Sequence, residues 1–166
     1  MISTEHARTM ARYNEWQNHS IYAAADTLSD TARRQERGAF FGSIHGTLSH
    51  LLWGDLMWLS RFRGREERLG TIKDSPKLFS DWEDLKTRRQ ACDADLIAWT
   101  EELDASWLYG NLVWYSGASG QERSAARWLL LTHLFNHQTH HRGQVHAMLT
   151  QAGAKPDDTD LMLLKL

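Results

Sequence analysis

The sequence predicts an all-α protein built as a four-helix bundle, and three observations carry that prediction. Only two of the 166 residues are proline, so little stands in the way of long uninterrupted helices. Four segments of roughly 20–28 residues repeat apolar side chains at steps of three and four, the period of one helix face. Eight tryptophans bring large apolar surfaces that must be covered by a core, a pocket or a subunit interface.

The first helix is expected from about Thr4 to Leu28, with Tyr13, Trp16 and Ile21 among its apolar positions. "LSDTARRQERGAFFGS" (28–43) is polar, contains glycine and shows no clear period, so it reads as a connection. Ser43 then precedes "IHGTLSHLLWGDLMWLSRF", where Ile44, Leu48, Leu51, Asp55, Trp58 and Phe62 recur at helical steps. "RGREERLGTIKDSP" is a second, charged connection closed by Pro76. The third helix covers about Ser80 to Leu103, on the stripe Leu85, Cys92, Leu96, Trp99 and Leu103. "WLYGNLVWYSGASGQER" (107–123) breaks the period and suits a short extended excursion or hairpin. The fourth helix is expected from near Ser124 to the terminator Gly153, ahead of Pro156. The tail "DDTDLMLLKL" is apolar enough to pack back on the body.

A chain of this length is most simply one domain, spanning 1–166. Its composition, 42% apolar and 24% charged, is that of a globular protein. A formal charge of -2 and a pI near 6.5 argue against nucleic acid as the main partner. The opening "MISTEHARTMARYNEWQ" lacks the pattern of a signal peptide. No apolar run is long enough for a membrane span. The single cysteine, Cys92, rules out an intramolecular disulfide and fits a cytoplasmic setting. On the apolar stripe of its helix it reads as a small core residue rather than a nucleophile.

The most unusual stretch is "HLFNHQTHHRGQVHAML" (133–149), which holds five of the nine histidines. At about 100° per residue, Leu130, Leu134, Val145 and Met148 form the apolar stripe. His137 and His141 lie on its edge or within it, whereas His140 and His146 fall off it. Four apart on one face, His137 and His141 can converge on one ion. Gln138 stands where a zinc protease would carry its general base, so that reaction is excluded. A third ligand is needed to complete an open catalytic site. The second helix offers His45 and His50 on different faces, both with apolar neighbours. Periodicity slightly favours His45 and leaves the choice open.

"HLFNHQTHHRGQVHAML" resembles the fourth-helix motif of the DinB/YfiT-like family, whose core is H-x-x-x-H-R-G-Q. "SIHGTLSHLLWGDLMWLSRF" is similar to that family's second-helix segment, "ARYNEWQNHSIY" to its first helix and "GAKPDDTDLML" to its C-terminal end. The resemblance implies a four-helix bundle, commonly a homodimer, with one divalent metal ion held by three histidines. Carried over by motif position these are His50, His137 and His141, so the resemblance overrules the wheel's preference for His45. Around them, Gln144 lies where it could hydrogen-bond a ligand or a bound water, and His140 and Asn136 flank the ligands as further supporting candidates. Arg142 points away from them, toward a salt bridge or an interface. Gly143 suits close helix packing. Trp53 and Trp58 read as core or pocket wall.

Three imidazoles with an open position can acidify a bound water or ionise a bound thiol. The functional expectation is accordingly a metal-dependent enzyme acting on a small molecule, a transferase using a low-molecular-weight thiol or a hydrolase. Zinc or nickel is the expected ion. No acid accompanies the ligands in the motif, so a stress-associated metal-binding protein without turnover is the alternative.

Overall fold

The computed structural model describes residues 2–65, 69–117 and 119–165. Four long helices carry the architecture: α1 (Thr4–Asp26), α3 (Ile44–Phe62), α5 (Trp82–Glu101) and α6 (Arg127–Gln151). Short helices α2 (Asp30–Arg34) and α4 (Ser75–Leu78) lie in the two connections. β1 (Asn111–Ser116) and β2 (Gln121–Ala126) form an antiparallel pair between α5 and α6.

Local chemistry starts three of the four long helices close to where the sequence predicts. The Ser3 hydroxyl accepts the His6 amide, Ser43 that of Gly46 and Asp81 that of Asp84. Each satisfies an amide that the first turn would leave unpaired. The long helices contact one another in a closed ring, α1 to α5, α5 to α3, α3 to α6 and α6 back to α1.

The interior divides into two apolar clusters. One joins Ile21, Leu48, Leu52, Leu85, Val145 and Leu149. The other joins Leu59, Phe62, Leu96, Leu131, Leu134 and Phe135. Phe62, Trp99 and Trp107 pack ring against ring at 5.1–5.4 Å between centroids in the second cluster. Cys92 is buried, and burial pushes its thiol up to about 12, as expected of a core residue.

The protein is mostly helical, and the extended excursion expected between the third and fourth helices is an antiparallel two-stranded pair. Three finer expectations need correction. Residues 124–126 belong to that pair, not to the last helix: Val113 faces Ser124, Leu112 faces Ala125 and Asn111 faces Ala126. The stretch 28–43 contains α2, capped by the Ser29 hydroxyl on the Ala32 amide. The tail docks through its backbone rather than its apolar residues. Tyr13 and Gln17 donate to the Thr159 and Asp158 carbonyls, and the Asp157 amide donates to Ser20. Leu161 and Leu163 are exposed and Met162 is 88% exposed. Within the charged connection, residues 66–68 lie outside the described residues, as does Ala118 of "SGASG".

Candidate metal centre

Across the α3–α6 contact, three imidazoles converge. His50 comes from α3, His137 and His141 from successive turns of α6, and one nitrogen from each lies within 4.8 Å of the others. His50 Nε2 is 3.1 Å from His137 Nε2. The ring centroids are 4.5–5.1 Å apart. Among the described residues no carboxylate or thiol belongs to the group.

The surroundings keep these rings uncharged. Burial drives His50 down to about 3, with His141 adding a smaller repulsion. His137 is likewise pushed to about 3, by burial first and then by the neighbouring histidines. His141 is lowered by burial, against the opposing hydrogen bond to Gln144. A neutral imidazole keeps one nitrogen lone pair free, which is the form a metal requires.

Outer partners then select which nitrogen is free. His141 Nδ1 is 2.7 Å from Gln144 Oε1. An amide oxygen only accepts, so the proton sits on His141 Nδ1 and its Nε2 is bare. The Gln144 amide nitrogen is turned to His140 Nε2 at 3.3 Å. His50 Nδ1 lies 2.8 Å from the Ser75 hydroxyl. His137 Nδ1 is buried without a partner among the described residues.

Packing holds the rings in place. Phe41 stacks on His50 with centroids 3.6 Å apart and planes inclined by 21°. It can approach because Gly46 has no side chain: a Cβ there would stand 2.5 Å from the Phe41 carbonyl oxygen. Gly54 does the same for His137, whose Cε1 would meet a Cβ at 3.0 Å. The Trp53 indole is half-buried, 5.6 Å from His50 between centroids, and donates to the Leu69 carbonyl. Trp58, also half-buried, packs on Trp114 and His133. Both tryptophans are wall, as expected.

His45 is not part of the group. It is buried, and its Nε2 is 2.8 Å from the Phe79 carbonyl, so it ties α3 to the end of α4. Gln144 lies against His141 Nδ1, and His140 packs edge-on to the His141 ring at 4.8 Å between centroids as well as facing the Gln144 amide. Asn136 is exposed and is not brought to the triad. Gly143 is exposed, and a Cβ there would meet nothing within 4 Å, so close helix packing is not its role. Arg142 is buried on the opposite side of α6, where it donates to Asn14 Oδ1 and lies over the Tyr13 ring. Ser75, Phe41 and Gly54 escaped the sequence reading. Only Gly54 left a signal, as a glycine inside a helix four residues after a ligand candidate.

A mostly helical protein with three histidines of two helices gathered on one point is the class that fold and site define. The DinB family model matches residues 1–165, and the chain belongs to the DinB family. It is also 29% identical over 165 residues to Protein DinB of Bacillus subtilis (strain 168), an alignment covering 95% of this chain and 92% of that protein.

Proposed function

We propose that this protein binds one divalent transition metal ion through His50, His137 and His141 in a four-helix bundle, and that it is a metal-dependent enzyme acting on a small molecule. Zinc or nickel is the proposed ion, and a low-molecular-weight thiol the proposed co-substrate of a transfer reaction, with hydrolysis the other reaction the site suits. The observation that carries the reading is the convergence of three neutral imidazoles within 4.8 Å, with the outer nitrogens of His50 and His141 already engaged.

The donor set fits such an ion. All-imidazole sites suit zinc, nickel, copper, cobalt and iron, while calcium and magnesium prefer oxygen. When bound, the ion supplies Lewis acidity toward water or a thiol. The protein's own residues orient and shield: Gln144 and Ser75 hold two rings, and Phe41 covers the face of His50. The proposal extends to a homodimer in the cytoplasm. Among the described residues, no helix is long and apolar enough to cross a membrane.

A second reading, metal binding without turnover, is supported by one specific feature. α3 and α6 carry a single acid between them, Asp55, and Arg89 engages it at 2.7 Å. No carboxylate on these helices is free to act as a base beside the histidines.

Elemental analysis of untagged protein prepared without chelators tests the shared claim. About one divalent ion per chain, retained in His45→Ala and lost in His50→Ala and His137→Ala, is expected. Absence of metal after incubation with zinc and nickel would remove both readings. Turnover of thiol or ester probes that disappears on chelation separates the enzyme from the binding protein.

A further inference from the structure

The segment linking α3 to α5 reaches back to the site. Thr71 and Asp74 close a turn, the Asp74 carboxylate accepting from the Thr71 amide and hydroxyl. α4 follows, and α3 straps it down at three points. Ser49 donates to the Ser75 carbonyl at 2.5 Å and accepts the Phe79 amide at 3.3 Å. His45 Nε2 meets the Phe79 carbonyl. The third point is His50 itself, whose Nδ1 lies 2.8 Å from the fully buried Ser75 hydroxyl.

The Ser75 hydroxyl has one proton, and it is donated to the Ile72 carbonyl at 2.7 Å. Toward His50 the oxygen can therefore only accept. That fixes the His50 proton on Nδ1 and leaves Nε2, the nitrogen facing His137, bare. His50 and His141 are thus set to the same tautomer by two unrelated devices, a serine from a distant turn and a glutamine one turn along the helix.

We infer that Ser75 is a positioning residue for the metal centre: it selects the Nδ1–H tautomer of His50, and α4 with its anchors Ser49 and His45 exists in this place to deliver it. The inference rests on the proposed metal site for its purpose, but the tautomer is a property of the metal-free protein. A neutral histidine free of such a partner divides its proton between two nitrogens and rotates. A ligand already bare at Nε2 and locked by Phe41 binds without that rearrangement. The assignment also gives His45 a role that its failure to join the triad left open. It holds the strap whose serine orients the true candidate.

The test uses 15N-histidine-labelled, metal-free protein, in which long-range 1H–15N correlations report which ring nitrogen carries the proton. Wild type is expected to show His50 protonated at Nδ1. Ser75→Thr, which keeps the hydroxyl, is expected to match it. Ser75→Ala, which also gives up the buried hydrogen bond to the Ile72 carbonyl, is expected to melt somewhat below wild type, to show His50 in mixed tautomers and to bind Co2+ about 10- to 100-fold more weakly. His50 protonated at Nε2 in wild type would overturn the assignment without any variant, as would Ser75→Ala with wild-type Co2+ affinity. If wild type shows Nδ1–H at His50 yet takes up no Co2+, the positioning role toward metal is overturned together with the metal reading. The tautomer alone would then survive.

Discussion

Two buried polar clusters share this fold and have opposite chemistry. On one side of α6, His137 and His141 face His50. On the other, Gln138 and Arg142, each the next residue along, face the centre of the helix ring. There Arg89 pairs with Asp55 at 2.7 Å and with Asp93 at 2.9 Å. Asn14 and Asn18 donate to Asp93, and Arg142 donates to Asn14. This central network draws on all four long helices and joins two guanidinium groups to two carboxylates. Arg89, Arg142 and the two asparagine amides find acceptors within the protein. The histidine cluster is made of one residue type, uncharged, with nitrogens aimed at each other. A closed set of opposites holds helices in register, whereas a set of like donors lacks only a cation, and that contrast separates scaffold from site.

Breaking the scaffold should have the largest effect. Asp93→Ala leaves Arg89 buried with half its counter-charge and strands the two asparagine amides. The expected loss is about 3–5 kcal/mol, read as a lower denaturant midpoint in equilibrium unfolding. Asp93→Asn, which keeps hydrogen-bond acceptance but not charge, should lose less. An unchanged midpoint in Asp93→Ala would mean that the network does not hold the helices together.

The site should respond to pH through its buried histidines. His50 and His137 sit near 3 in the fold against an ordinary 6.5. Between those values the unfolded chain binds protons that the folded chain refuses. Stability of the metal-free protein is therefore complete above about 6.5 and declines as pH falls toward 3. Each histidine contributes a slope of up to about 1.4 kcal/mol per pH unit. Urea unfolding from pH 7 to 5 should show this slope in wild type and a shallower one in His50→Gln, because burial also lowers His45, His133 and His141, which keep contributing. Equal slopes would place the proton uptake elsewhere. Bound zinc or nickel should steepen the decline, since protons and metal compete for the same lone pairs.

How far these two clusters could be read from sequence differs for a physical reason. The helices were legible because period and caps are local: Ser43 marks a start that the structure keeps, and Ser3 and Asp81 cap two others within a residue or two of the expected starts. Residues 124–126 were misplaced because "QERSAA" has no strong period of its own, and its pairing with β1 decides its state. His137 and His141 were legible as a helical pair. His45 and His50 were not separable by periodicity, since both are almost fully buried on α3, and motif resemblance singled out the residue that the structure brings to the triad. Ser75 and the central network were invisible because they join residues far apart in the chain. The steps of four between Asn14 and Asn18 and between Arg89 and Asp93 hint at polar faces but do not say that those faces meet.

Two glycines sharpen the comparison at smaller amplitude. Gly54 lies against His137, so Gly54→Ala adds a methyl where the ring Cε1 stands 3.0 Å away. Helix propensity favours alanine by about 1 kcal/mol, while overpacking costs about 1–3 kcal/mol. The net change in stability should be modest. Zinc affinity should fall by about tenfold, the scale of losing a ligand's support, because His137 is the ring that must move. Competition with a chromophoric chelator measures it, and an unchanged affinity would show that Gly54 does not place His137.

Gly143 is the control for that argument. It lies two residues from His141 in the same helix, yet it faces solvent and a Cβ would touch nothing. Gly143→Ala removes backbone freedom from the unfolded chain without crowding the fold, so stability should rise by about 0.5–1 kcal/mol. Zinc affinity should stay at the wild-type value. If Gly143→Ala weakened zinc as much as Gly54→Ala, the sensitivity would belong to α6 as a whole and not to contact with a ligand ring. If only Gly54→Ala weakened it, the glycine facing the site and the glycine facing solvent would be separated by function, with helix propensity acting equally on both.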